Sequence, residues 1–152
     1  MDNKPTNELE KILESTSPDE VDTYLKEHAS SLAADERPLA DYLMSIIRQK
    51  GISQQTVFER AGFSNKYGYR LLSQDKNTRQ RDYILRLCFA AELSLSETQR
   101  ALKLYGMSPL YAKVSRDAVL MIALNQGIHE ISDVNNLLIS HGMEPLKASL
   151  QP

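Results

Sequence analysis

The sequence holds a single cysteine, Cys88, set in an apolar run. One cysteine closes no intramolecular disulfide, a usage that suits a reducing compartment. Long apolar runs are also missing. The longest, Ala118–Leu124, has seven residues, whereas a membrane span needs about 20. The N-terminal stretch MDNKPTNELEKILE is polar and acidic, without the basic and apolar regions of a signal peptide. A cytoplasmic protein is the expectation. The histidines His28, His129 and His141 lie far apart, and with one cysteine they form no metal-ligand spacing. No glycine-rich phosphate loop, nucleophile elbow or paired-cysteine motif occurs. Catalysis, a metal and a cofactor are therefore not expected.

What is present is an ordinary globular composition. The chain has 152 residues, 41% apolar and 25% charged, long enough to bury roughly 70% of its unfolded surface without disulfides. Its net charge of −2 argues on its face against nucleic-acid binding. The distribution says otherwise. Residues 1–41 carry 11 acids and 4 bases, net −7; residues 42–86 carry 3 acids and 9 bases, net +6; residues 87–152 are net −1. A basic middle follows an acidic front.

Helical periodicity punctuated by caps runs nearly throughout, so the expected class is all-α. Asn7 with Glu10 and Ser17-Pro18-Asp19-Glu20 mark two starts in an acidic N-terminal segment, residues 1–36. Pro38 opens a helix whose Leu39, Leu43, Ile46 and Ile47 recur at spacings of 3 and 4, ended by Gly51. Ser53 caps a short helix ended by Gly62, and Ser64 caps another to about Leu72. A polar loop, residues 74–78, and a longer helix through Ala91 follow. Ser96 with Gln99 reads as a capping box, and Gly106 ends that helix. The expected layout is a helix-turn-helix domain over 37–106 and a helical extension over 107–152 packed on it.

The second half repeats itself. Residues 95–112 match residues 131–148, with seven of 18 positions identical, including Gly106/Gly142, Pro109/Pro145 and Leu110/Leu146. The helix before each copy begins at an Arg-Asp pair, Arg81-Asp82 and Arg116-Asp117. Two stacked helix pairs, each with a serine cap, are expected, and a tetratricopeptide-like stack stays open. The nearly all-apolar Val119–Leu124 requires burial on several sides, within the domain or at a dimer or effector surface.

The segment Ser53–Ser73, SQQTVFERAGFSNKYGYRLLS, has helix-turn-helix organisation, and its second helix would enter a major groove. With Gly51-Ile52-Ser53-Gln54 and Glu59-Arg60-Ala61-Gly62, the chain from about Leu39 to Leu104 resembles the λ-repressor-like (Xre-type) family. Tyr67-Gly68-Tyr69, Arg81-Asp82, Pro109-Leu110-Tyr111 and Arg116-Asp117 resemble a bacterial subgroup of small regulators. The resemblance implies a five-helix domain with extra helices and a DNA-binding role in transcription regulation. Two features depart from it. Phe58 stands where the family has a small residue and Gly68 where it has a bulky one, an exchange that conserves volume if Phe58 fills the space over Gly68. The acid near Leu72 and the glycine near Gln74 are missing.

If double-stranded DNA is the partner, Asn65, Lys66, Tyr69 and Arg70 are the base-edge candidates on the recognition helix. Gln54, Ser64, Lys76, Arg79 and Arg81 are the phosphate candidates. Tyr67 packs instead, since Phe63, Tyr67 and Leu71 fall at spacing 4. A single unit reads few bases, which leaves a homodimer open. The alternative is a protein-interaction adaptor with a repurposed fold, because a tyrosine- and arginine-rich face also suits a protein partner.

Overall fold

In a computed structural model of the chain, the described residues are Glu14 and residues 38–73, 78 and 80–148. The chain divides into two units, 1–36 and 37–152. The two helix starts expected before residue 36 lie outside the described residues. The second unit holds seven helices and, among the described residues, no strand. They are α1 (Pro38–Lys50), α2 (Gln54–Ala61), α3 (Asn65–Leu72), α4 (Arg81–Ala90), α5 (Leu95–Leu104), α6 (Ser115–Asn125) and α7 (Ile131–Ser140). The all-α class is as expected. None of the described helices is long and apolar enough to cross a membrane.

α4 is the hub. Every residue from Ile84 to Ala90 is buried, Arg86 included, because α4 packs against α2, α5 and α7. α1 presents Leu39, Leu43, Ile46 and Ile47 inward, as their spacing predicts. α6 differs from expectation. Leu120, Ala123 and Leu124 are buried, but Val119 and Met121 are only half-buried and Ile122 is 56% exposed. The only charges of α6, Arg116 and Asp117, lie in its first turn, so Val114, Ala118 and Ile122 form an uncharged face toward solvent.

The capping assignment for α5 is corrected. Ser94, not Ser96, is the cap: its hydroxyl accepts from Glu97 N at 3.2 Å, and Glu97 Oε1 accepts from Ser94 N at 2.8 Å. Both Ser94/Glu97 and Ser96/Gln99 fit the motif, but the Gln99 side chain is engaged by Leu110, which leaves the pair two residues earlier to form the box. In the second copy Glu130 holds the cap position with no side-chain bond, and Ser132 lies inside α7. The device the copies do share is a side-chain amide clamp. Gln99 Nε2 donates to Leu110 O at 2.9 Å while Leu110 N donates to Gln99 Oε1 at 2.7 Å. Leu146 N donates to Asn135 Oδ1 at 2.8 Å in the other copy.

The two Arg-Asp pairs are crossed. Arg116 donates to both oxygens of Asp82 at 3.0 and 2.9 Å, and Arg81 Nη2 donates to Asp117 Oδ1 at 2.5 Å. Each arginine also reaches its own copy's proline loop: Arg81 donates to Ser108 O and Pro109 O, Arg116 to Glu144 O and Pro145 O. Each aspartate accepts an amide from the other copy's loop: Asp117 from Tyr111 N, Asp82 from Lys147 N. Copy one thus holds copy two by the same bonds with which copy two holds copy one. That is a local two-fold relation. A tetratricopeptide-like stack relates copies by translation and leaves one end open for a further copy, so the reciprocity excludes it.

Arg86 ties this clasp to the front of the domain. Its Nη1 donates to Ala61 O at 3.1 Å, its Nε to Lys147 O at 2.7 Å and its Nη2 to Leu146 O at 2.8 Å. Ala61 is the last residue of α2, so the guanidinium also closes an orphan carbonyl at a helix end. No carboxylate forms an ion pair with it among the described residues.

Burial alone would raise the Asp82 carboxyl, but the hydrogen bond from Arg116 and the Lys147 amide together hold it below the usual carboxylate range. Its unfolded value is about 3.9, so its contribution to stability is present above about pH 4 and lost as pH falls through the folded value. Arg116→Ala, which strands this carboxylate, is expected to cost about 3 kcal/mol at neutral pH. Asp82→Asn is expected to flatten the acid limb and to make a second Arg116→Ala change much cheaper. Urea unfolding at pH 7 and pH 3 checks both, and additive losses in the double variant would show that the pair is uncoupled.

Candidate nucleic-acid interface

The basic middle of the sequence folds as two short helices joined by a tight turn. Ser53, extended at φ −79°, caps α2 by accepting from Thr56 N at 3.1 Å. Gly62 ends it in the left-handed conformation at φ +83°, which a side chain would strain. Ser64 then caps α3 by accepting from Tyr67 N at 3.1 Å. α3 ends at Leu72 with Ser73 in ordinary right-handed conformation, so no glycine is required at that exit.

α3 is sharply two-sided. Tyr67, Gly68, Leu71 and Leu72 are buried, whereas Asn65, Lys66, Tyr69 and Arg70 are exposed. Tyr67 packs as expected, edge-to-face with Phe63 at 5.4 Å and with Tyr83 at 6.3 Å. The Phe58–Gly68 exchange also holds. A Cβ on Gly68 would stand 2.5 to 2.6 Å from three atoms of the Phe58 ring, well inside contact distance. Phe58 is fully buried, and its ring meets Tyr69 at 5.4 Å and 72°. One ring therefore fills the glycine notch and braces the exposed tyrosine beside it.

The electrostatics select the same face. Across α2, α3 and α4 there are five cations. Arg60 pairs with Glu92 at 2.9 Å. Arg81 and Arg86 are held in the bonds described above. Lys66 and Arg70 have no hydrogen-bond or ion-pair partner among the described residues. They stand one turn apart on the exposed face of α3, with Asn65 and Tyr69 between and beside them. Such unpaired cations are where an anionic partner gains most.

The phosphate candidates separate. Gln54 lies half-buried at the first position of α2, beside its free amides. Ser64 is half-buried, its hydroxyl occupied as the α3 cap. Lys76 and Arg79 lie outside the described residues. Arg81 is corrected: its guanidinium is committed to Asp117 and to two loop carbonyls, so it is not free to meet a phosphate. The bracing role of Phe58 toward Tyr69 was not legible from the sequence; only the exchange of large and small residues hinted at a special contact. No metal-binding group of three or more His, Cys, Asp or Glu residues occurs among the described residues. No protein-family model, curated protein or solved structure matches the chain.

Alanine favours a helix interior over glycine by roughly 1 kcal/mol, yet Gly68→Ala is expected to destabilise by about 1–3 kcal/mol through overpacking against Phe58. Adding Phe58→Leu is expected to recover most of that loss. Thermal unfolding of the single and double variants measures this, and a higher Tm for Gly68→Ala alone would contradict the packing account.

Proposed function

We propose that the protein is a sequence-specific transcription regulator that binds double-stranded DNA in a bacterial cytoplasm. In this reading α2, the Gly62 turn and α3 form a λ-repressor-like helix-turn-helix, with α3 in the major groove. The observation that carries it is the exposed face of α3, where Asn65, Lys66, Tyr69 and Arg70 stand together and neither cation has an ion-pair partner among the described residues. Asn65 matches the adenine edge, and Lys66 and Arg70 match guanine or phosphate. Gln54 and the α2 amides suit a phosphate, and Lys76 and Arg79, which lie outside the described residues, add two cations to the sequence between α3 and α4. The Tyr69 ring beside Arg70 is also the composition of a protein-binding hot spot, which makes an adaptor the rival.

Salt dependence separates the two. Lys66, Arg70, Lys76 and Arg79 give an expected log–log slope of about −3 to −4 for binding to genomic fragments. Arg70→Ala is expected to weaken binding and flatten the slope by about 1. Absence of retardation of any duplex at low salt would falsify the DNA reading.

A recognition helix this short reads few base pairs, and two copies on adjacent half-sites solve that. The face of α6 formed by Val114, Ala118 and Ile122 suits a second copy of this chain, because it is uncharged and meets its own image without like-charge repulsion. Ile122→Lys is expected to convert a dimer to a monomer with little change in Tm and a large loss of operator affinity. Sedimentation that shows the same mass for both proteins removes this surface from the account.

A further inference from the structure

Tyr69 is anomalous as a surface residue. It is 56% exposed, yet its ring lies against a second aromatic ring. Phe58 reaches it from below, ring centroids 5.4 Å apart in an edge-to-face arrangement. Phe58 cannot retreat, since it is fully buried and already fills the notch over Gly68. An aromatic pair of this geometry is favourable beyond its buried area. The most exposed aromatic ring of α3 thus rests against a fixed ring before any partner arrives.

We propose that Phe58 is a positioning residue that holds the Tyr69 ring as a fixed apolar reader of a thymine C5-methyl group in the major groove. The proposal rests on the DNA reading above and specifies what that face recognises. The thymine methyl is the one apolar feature of the major-groove edge, and a rigid ring meets it without losing rotamer freedom on binding. Asn65 and Tyr69 are one turn apart on α3. With a rise of about 5.4 Å per turn against about 3.4 Å per base pair, they address positions no more than about two base pairs apart. The preferred site therefore carries an adenine read by Asn65 and, within two base pairs, a thymine read by Tyr69.

The test uses the full chain and duplexes selected from a random pool. In the selected site each thymine is replaced by deoxyuridine, which removes only the methyl group. The wild type is expected to lose about fourfold in affinity at one thymine, the worth of one buried methyl-sized group. Tyr69→Phe is expected to keep that discrimination and Tyr69→Ala to abolish it. Phe58→Leu combined with Gly68→Ala is expected to lose it as well while the salt slope stays unchanged. In the DNA-free protein, aromatic NMR is expected to show Tyr69 ring protons shifted by the Phe58 ring and a single Tyr69 χ1 rotamer. That spectrum tests the bracing even if the Phe58 variant does not fold. Tight binding with indifference to every thymine-to-uracil change overturns the proposal and leaves the DNA reading standing. So does full discrimination in a folded Phe58 variant, or a rotamer-averaged Tyr69 in the wild type. A protein that binds no duplex overturns both.

Discussion

Two arginine–aspartate pairs crossing between the first turns of α4 and α6 lock the two copies of the repeat together, and the described helices after residue 80 depend on them. Desolvating four charges is costly, and the cost is met only when each charge has several partners in good geometry. Here each aspartate has an arginine and a loop amide, and each arginine has an aspartate and loop carbonyls. Removing either arginine leaves a nearly buried carboxylate short of a partner, so each aspartate depends on the whole arrangement. Arg86 extends the same logic to the front of the domain, because its three carbonyl partners come from α2 and from the loop after α7. The short helices α2 and α3 are therefore held by a helix that is itself held by the far end of the repeat.

This division of labour explains how one protein carries both locked and free cations. Arginines that face the clasp are consumed by structure, and their planar fork suits several carbonyls at once. Lys66 and Arg70 point away from the hub on a helix whose opposite side is wholly buried, and no carboxylate among the described residues pairs with them. A surface with no structural use for its charge is the part of the molecule where a partner's charge can be felt most strongly.

Much of this was legible from residues alone. Serine caps at Ser53 and Ser64, the glycine stop at Gly62 and the α1 spacing are local rules, and local rules need no tertiary context. The Phe58–Gly68 exchange was legible because volume must balance across a contact. Other features were not. Ser94 and Ser96 offer overlapping capping motifs, and only the packing of Gln99 on Leu110 decides between them. Arg81 looked free because its partner lies 36 residues on, and sequence spacing shows a repeat without showing that its copies embrace each other. The apolar run in α6 left burial within the domain and burial at a further surface both open, and Ile122 is half in water, since composition does not say how many neighbours a helix has. The exposed residues of α3 follow from the helix and its cap, whereas the bracing of Tyr69 is a matter of ring orientation, which no spacing rule encodes.

The bonds of Arg86 also set an order of events during synthesis. Its acceptors at Leu146 and Lys147 lie 60 and 61 residues downstream. Until those residues have left the ribosome, the helix that backs α2 carries a guanidinium with only Ala61 to receive it. In that interval water accepts from Nε and Nη2, and the tie between α4 and the far end of the repeat is what is missing. The front of the domain is thus translated well before the segment that ties its hub to the second copy of the repeat, and those two bonds are the last that Arg86 can make.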